Sequence, residues 1–126
     1  AIKRLHDEGF RLEVASSSAG YYIGRVFDAL EIRQYFECYT SGEEVEHPKP
    51  APDTFLRAME KLNLKPEDCI IVEDSTNGGK AAAAAGAKCV WFHNPDSGDQ
   101  QILHAVLTIT SWSPENVDKL IDLMHA

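Results

Sequence analysis

Apolar positions along the chain form short runs that alternate with longer amphipathic segments. Short apolar runs bounded by turn residues predict buried strands, and apolar residues three to four positions apart predict helices. The predicted strands are 12–15, 36–39, 69–72, 89–92 and 106–109. The predicted helices run to about residue 8 and over 20–32, 52–62, 80–85 and from 113 onward. This alternation predicts an α/β fold, a Rossmann-like parallel sheet with helices on both faces.

The inner faces of three predicted helices carry the side chains expected in the core. These are Ile23, Val26, Phe27 and Leu30; Phe55, Met59 and Leu62; and Val117, Leu120, Ile121 and Met124. Ligands of such sheets bind beyond the carboxyl ends of the strands. Polar residues that follow a predicted strand are therefore the first candidates for function.

Length and charge narrow the possible functions. The 126 residues fit one domain, 1–126. Twelve basic and twenty acidic residues give a net charge of −8, which argues against a nucleic-acid surface. No apolar run approaches the ~20 residues of a membrane span. The three cysteines form no CxxC pair, so neither a zinc knuckle nor a disulfide framework is indicated, and we expect a cytoplasmic protein.

Serines follow the first predicted strand directly, at Ser16, Ser17 and Ser18. Hydroxyls and backbone N–H groups between a strand and a helix can cradle a phosphate. The competing interpretation is ordinary turn or cap chemistry.

Lys49 lies in a loop between Pro48 and Pro50. Prolines restrict the backbone on both sides and so limit where the ammonium group can go, and a positioned lysine suits a phosphate. A solvated surface lysine is the alternative.

Glu73 and Asp74 end a long apolar strand. Adjacent carboxylates delivered to one point repel each other and are costly to desolvate, and a hard cation relieves both problems. Mg²⁺ takes oxygen ligands, often one or two carboxylates with waters. The alternatives are a solvated acidic loop or a helix N-cap by Asp74.

Taken together and in this order, the three motifs resemble the haloacid dehalogenase superfamily, in its β-phosphoglucomutase-like and sugar-phosphatase-like branch. The segments Lys49-Pro-Ala-Pro-Asp-Thr-Phe and Val72-Glu73-Asp74-Ser75 carry the resemblance. It implies that Ser16 and the Ser17 backbone bind the transferring phosphoryl group and that Lys49 neutralises its charge. It also implies that Glu73 and Asp74 position Mg²⁺. The implied function is a Mg²⁺-dependent phosphomonoester hydrolase that acts on a small phosphorylated metabolite through an aspartyl-phosphate.

The sequence departs from the family at the nucleophile. The family carries Asp-x-Asp after an apolar strand, and this sequence has no Asp-x-Asp. We therefore expect a partial core domain without the central nucleophile strand and without the cap domain, truncated before Ala1. The resemblance puts the missing strand between those ending at Ala15 and Val72. The chain alone is expected to be inactive and not a stable monomer, with a missing N-terminal segment or a second chain completing the sheet.

Two alternatives to the phosphatase remain open. One is a fragment of a phosphosugar mutase. The mutases of the branch typically carry a basic residue after the serine motif, where Ala19 and Gly20 stand here, and this favours a phosphatase. The other is a non-catalytic domain that binds phosphate or metal.

Overall fold

The computed structural model describes residues 1–16, 20–30, 32–94, 96 and 98–125. Its helices are α1 (Ile2–Asp7), α2 (Gly20–Ala29), α3 (Asp53–Leu62), α4 (Thr76–Ala85) and α5 (Pro114–His125). Its strands are β1 (Glu13–Ser16), β2 (Cys38–Ser41), β3 (Ile70–Glu73), β4 (Lys88–Phe92) and β5 (Leu107–Ile109). Short 3₁₀ turns occupy Arg33–Tyr35, Gly42–Glu44 and Pro66–Asp68. No helix in the described part is long and apolar enough to cross a membrane.

The strands form two parallel sheets. β1 pairs with β2, and β3, β4 and β5 pair in that order, every pair being parallel. The predicted α/β class with a parallel sheet is therefore confirmed. Among the described residues no ladder joins β1 to β3, so each is an end strand of its own sheet.

Two hydrophobic cores lie on opposite faces of the three-stranded sheet. The first contains side chains of α3 and α4: Phe55, Met59, Ala81, Ala82 and Ala85, with Cys89 and Ile102. The second contains side chains of α1 and α5: Leu5, Val117, Leu120 and Ile121, with Val90 and Ile109. Within β3, Ile71 packs on the first core while Ile70 and Val72 pack on the second, as the alternation of a strand requires. Helices on both faces are thus confirmed.

Two elements extend beyond their predicted bounds because polar residues and glycines take part in regular structure. β2 was expected at 36–39 but is Cys38–Ser41. Thr40 can be buried in this strand because its hydroxyl donates a hydrogen bond to the carboxylate of Glu13. The alanine helix was expected from Lys80 but begins at Thr76. Gly78 and Gly79, which precede the predicted start, therefore lie inside the helix.

The inner face of α2 was only partly predicted. The helix ends at Ala29 rather than at 32, and Ile23 is buried as expected. Val26 and Leu30 were expected to be buried, but they are 52% and 62% exposed. The side chain of Phe27 lies outside the described residues.

Candidate active site

Lys49 joins the carboxyl ends of two strands that belong to different sheets. Its Nζ donates one hydrogen bond to the carbonyl oxygen of Ala15 in β1, at 3.1 Å. A second goes to Oε2 of Glu73 in β3, also at 3.1 Å. Ser16 is the last residue of β1 and follows Ala15 directly. The structure therefore brings three predicted site residues, Ser16, Lys49 and Glu73, together at the carboxyl ends of β1 and β3.

The Lys49 side chain is largely shielded from solvent, and contacts hold its ammonium group from several sides. The side chains of Lys49 and Glu73 are only 11% and 12% exposed. The Nζ also lies 4.4 Å from the centroid of the Phe55 ring, a distance typical of a cation–π contact. An ammonium has three N–H donors, and contacts within the described part of the chain use two of them. The described residues thus leave one donor for a ligand.

The two acidic residues differ sharply in environment. Both oxygens of Glu73 are engaged, since Oε2 accepts from Lys49 and Oε1 accepts from the backbone N–H of Asp74 at 3.2 Å and the hydroxyl of Ser75 at 3.3 Å. Asp74, by contrast, is exposed. Glu73 is thus the charge partner of Lys49, and Asp74 presents its carboxylate outward.

The donor set fits Mg²⁺ in part. Mg²⁺ is commonly held by one or two carboxylates together with waters and substrate phosphates, and Asp74 with Glu73 supplies such a pair. Within the described ranges no group of three or more His, Cys, Asp or Glu residues is gathered for a metal. A bound Mg²⁺ would therefore need oxygen ligands beyond these two side chains.

The structure describes only part of the serine motif. Ser16 is half-buried and in register with Ser41 of β2. Ser17, predicted to bind phosphate through its backbone, lies outside the described residues. At the start of α2 the N–H of Gly20 donates to Oε1 of Glu43 at 3.0 Å. An anion bound at this helix end would compete with that carboxylate.

Nearby side chains accept hydrogen bonds from backbone N–H groups at the start of α4. Ser75, not Asp74, is the N-cap, because its hydroxyl accepts from the N–H of Gly78 at 3.0 Å. The N–H of Thr76 donates to the Gln100 side chain at 2.8 Å. These two amides are occupied and are not available to an anion.

Sequence reasoning missed three contributors to the site: Phe55 beneath Lys49, and Ser75 and Gly78 against Glu73. Ser75 could have been found, because a serine three residues before a helical amide is a capping signal. Phe55 was identified as a core residue of α3, but periodicity does not show that its ring meets a cation.

The cysteines are poor nucleophiles. Burial, with help from the hydrogen bond to Glu13, raises the pKa of Cys38 to about 11. Burial, with help from the charge of Glu73, raises the pKa of Cys89 to about 11. Both thiols are protonated at neutral pH, and a thiolate is the reactive form.

Comparison with known proteins identifies the family. The profile described as haloacid dehalogenase-like hydrolase matches residues 1–92, well over half of the chain. The chain belongs to the haloacid dehalogenase-like hydrolase family. This is a family of enzymes that includes phosphatases and phosphomutases. The resemblance predicted from the serine, lysine and acidic motifs is confirmed.

Three relatives show how far the similarity extends. A haloacid dehalogenase-like hydrolase domain-containing protein of Arabidopsis thaliana is 36% identical over 132 residues, covering 98% of this chain and 42% of that protein. A phosphoglycolate phosphatase of Nitrosospira multiformis is 34% identical over 86 residues, covering 68% of this chain and 38% of that protein. The structure of a candidate β-phosphoglucomutase from Thermotoga maritima matches with a TM-score of 0.81 at 26% identity, covering 98% of this chain and 57% of that one. The chain thus spans about two fifths of the length of these curated relatives.

Proposed function

We propose that this chain forms the phosphate- and magnesium-binding part of a Mg²⁺-dependent phosphomonoester hydrolase. Its substrate would be a small phosphorylated metabolite, as the name of the phosphoglycolate phosphatase relative suggests. The observation that carries the proposal is the position of Lys49, which is held between Ala15 and Glu73 at the strand ends with one N–H donor left.

Phosphoryl transfer depends largely on alignment of the reacting groups and on stabilisation of charge. In the proposed site Lys49 donates its remaining N–H to a phosphoryl oxygen, and Glu73 keeps the ammonium in place. Ser16 donates its hydroxyl to a second oxygen, and the backbone of Ser17 assists. Asp74, with Glu73 beside it, would hold Mg²⁺, which would offset the negative charge of the phosphate.

The proposed nucleophile is an aspartate that forms an aspartyl-phosphate, which water then hydrolyses. It would lie on a strand between β1 and β3, supplied by another segment of the polypeptide or by a second chain. Two features support this place: β1 and β3 are end strands in the described structure, and Lys49 contacts both of their ends. We place the protein in the cytoplasm, where its three free thiols fit a reducing environment.

A phosphosugar mutase is the second candidate. The similarity to the candidate β-phosphoglucomutase supports it. The Ala19-Gly20 pair after the serine motif still favours the phosphatase. The phosphatase and the mutase differ in whether phosphate is released to solvent or returned to the sugar.

The test is phosphate release by the full polypeptide that the gene encodes, measured over a panel of small phosphomonoesters with Mg²⁺ and with EDTA. We expect Mg²⁺-dependent release that Lys49→Met lowers about 10²- to 10³-fold, the cost of removing one preorganised charge-stabilising donor. Asp74→Asn should abolish the response to Mg²⁺. Lys119→Met and Asp122→Asn, exposed on α5, are the matched controls and should leave turnover unchanged.

Two outcomes would refute the proposal. One is turnover that is indifferent to both site variants. The other is the absence of phosphate release from every ester. In that case isomerisation of a phosphosugar would indicate a mutase, and no isomerisation would indicate a non-catalytic domain.

A further inference from the structure

Gly78, in the first turn of α4, lies in unusually close contact with Glu73. A Cβ atom placed on Gly78 would lie 2.0 Å from Cδ, 2.1 Å from Cγ and 2.3 Å from Oε2 of Glu73. Real Cβ atoms essentially never approach other heavy atoms closer than 3.0 Å. The helix and the Glu73 side chain can therefore occupy these positions together only if residue 78 has no side chain.

The requirement for glycine here concerns space and not backbone conformation. The described glycines with positive φ are Gly9, Gly86 and Gly98, and Gly78 is not among them. Alanine would favour the helix itself, because glycine is among the poorest helix formers. The cost of a methyl group at position 78 would therefore come from Glu73.

Contacts hold both carboxylate oxygens of Glu73, so moving the carboxylate away from Gly78 would disturb these contacts. The hydroxyl of Ser75 and the backbone N–H of Asp74 hold Oε1, and Lys49 holds Oε2. Ser75 also caps the helix through the N–H of Gly78, so the first turn of α4 and the Glu73 carboxylate are tied together.

We propose that Gly78 is a positioning residue of the active site: its missing side chain lets α4 close onto Glu73, which fixes that carboxylate on Lys49. Only the consequence of this role for phosphate binding rests on the proposed function. The effect on Lys49 follows from the contacts alone and can be tested separately.

Gly79 offers a matched control in the same helix. A Cβ there would lie 2.8 Å from Cγ1 and 2.9 Å from Cγ2 of Ile102, in the first core and away from Glu73. Gly79→Ala therefore makes the same chemical change, with the same gain in helix propensity and a smaller overlap, but leaves the Glu73–Lys49 pair alone.

The experiment measures the rate at which acetic anhydride modifies Lys49 in the full polypeptide, by mass spectrometry. In wild type the ion pair protects the amine. Gly78→Ala should raise the rate at Lys49 about tenfold or more, the factor expected when one charge-assisted hydrogen bond is lost. Gly79→Ala should leave it near the wild-type value, and exposed Lys119 should react equally in all variants.

A Glu73→Ala background shows whether Gly78 acts through Glu73. With that side chain removed the added methyl has nothing to displace, so Gly78→Ala should cause no further rise in Lys49 modification. If Gly78→Ala alone does not fold, thermal unfolding reports the same coupling, and the double variant should recover the folding that the single variant lost.

The inference would be overturned if Gly78→Ala left Lys49 protected, if Gly79→Ala exposed Lys49 equally, or if the effect of Gly78→Ala persisted without Glu73. None of these outcomes depends on turnover. A protein that proves not to be a phosphatase would therefore refute the proposed function without deciding the role of Gly78.

Discussion

Replacing Lys49 by methionine should destabilise the fold as well as impair the site. Methionine keeps most of the length of the side chain and can still pack on Phe55, but it leaves Glu73 without its cation. At 3.1 Å and an effective dielectric constant near 20, the attraction between the two charges is about 5 kcal/mol before desolvation is subtracted.

The net effect depends on burial. Exposed ion pairs contribute little because solvent screens them, whereas removing one partner of a buried pair costs about 3–5 kcal/mol. With side chains only 11% and 12% exposed, the Lys49–Glu73 pair belongs to the buried class. We expect Lys49→Met to lower the free energy of unfolding by about 3 kcal/mol or more.

The assay is urea unfolding of the full polypeptide followed by circular dichroism, with the change read from the midpoint at constant slope. Lys3→Met is the matched control. The Lys3–Asp7 pair is shorter, at 2.6 Å, but its side chains are 69% and 52% exposed, so its midpoint should not shift measurably. Adding Glu73→Gln to Lys49→Met removes the unpaired charge and should recover part of the loss. Equal midpoints for Lys49→Met and Lys3→Met would refute the reasoning.

Three further predictions test the core and the surroundings of the site. Because the pKa values of Cys38 and Cys89 are raised to about 11, their alkylation by iodoacetamide should stay slow through pH 9 and rise towards pH 11; a rise centred near the ordinary thiol pKa of about 8.5 would contradict this. The stabilisation from these buried neutral thiols is present below that ordinary value and is lost as pH rises through 11. Ile102→Ala should lower the free energy of unfolding by about 2–5 kcal/mol in urea titrations, and an unchanged midpoint would show that the residue does not pack as described. Glu43→Gln removes the charge beside the N–H of Gly20 and should tighten inhibition by inorganic phosphate about two- to fivefold; unchanged inhibition would place the anion elsewhere.

The sequence predicted which strand ends carry the candidate site residues. Ligands of parallel sheets bind beyond the carboxyl ends of the strands, so polar residues after the strands at 12–15 and 69–72 were the first candidates, and Lys49 contacts the ends of both strands. Restriction by flanking prolines singled out Lys49, and its Nζ reaches both strand ends. Simple rules suffice here because topology and backbone restriction decide the outcome.

The finer geometry could not be predicted because it depends on packing across elements. Neighbouring Glu73 and Asp74 look equivalent in sequence, yet one is nearly buried against Lys49 and the other is exposed. Two adjacent glycines indicate a turn by propensity, whereas Gly78 and Gly79 lie inside α4, where side chains from other elements leave no room for a Cβ. Local propensity carries no information about such contacts.

Calorimetric titration of inorganic phosphate into the full polypeptide, with and without Mg²⁺, tests most directly whether Lys49 and the strand ends form a phosphate site. We predict that Mg²⁺ strengthens binding and that Lys49→Met weakens it about 10- to 100-fold, the value of one charge-assisted hydrogen bond. Equal affinity for wild type and Lys49→Met, or binding indifferent to Mg²⁺, would contradict the account.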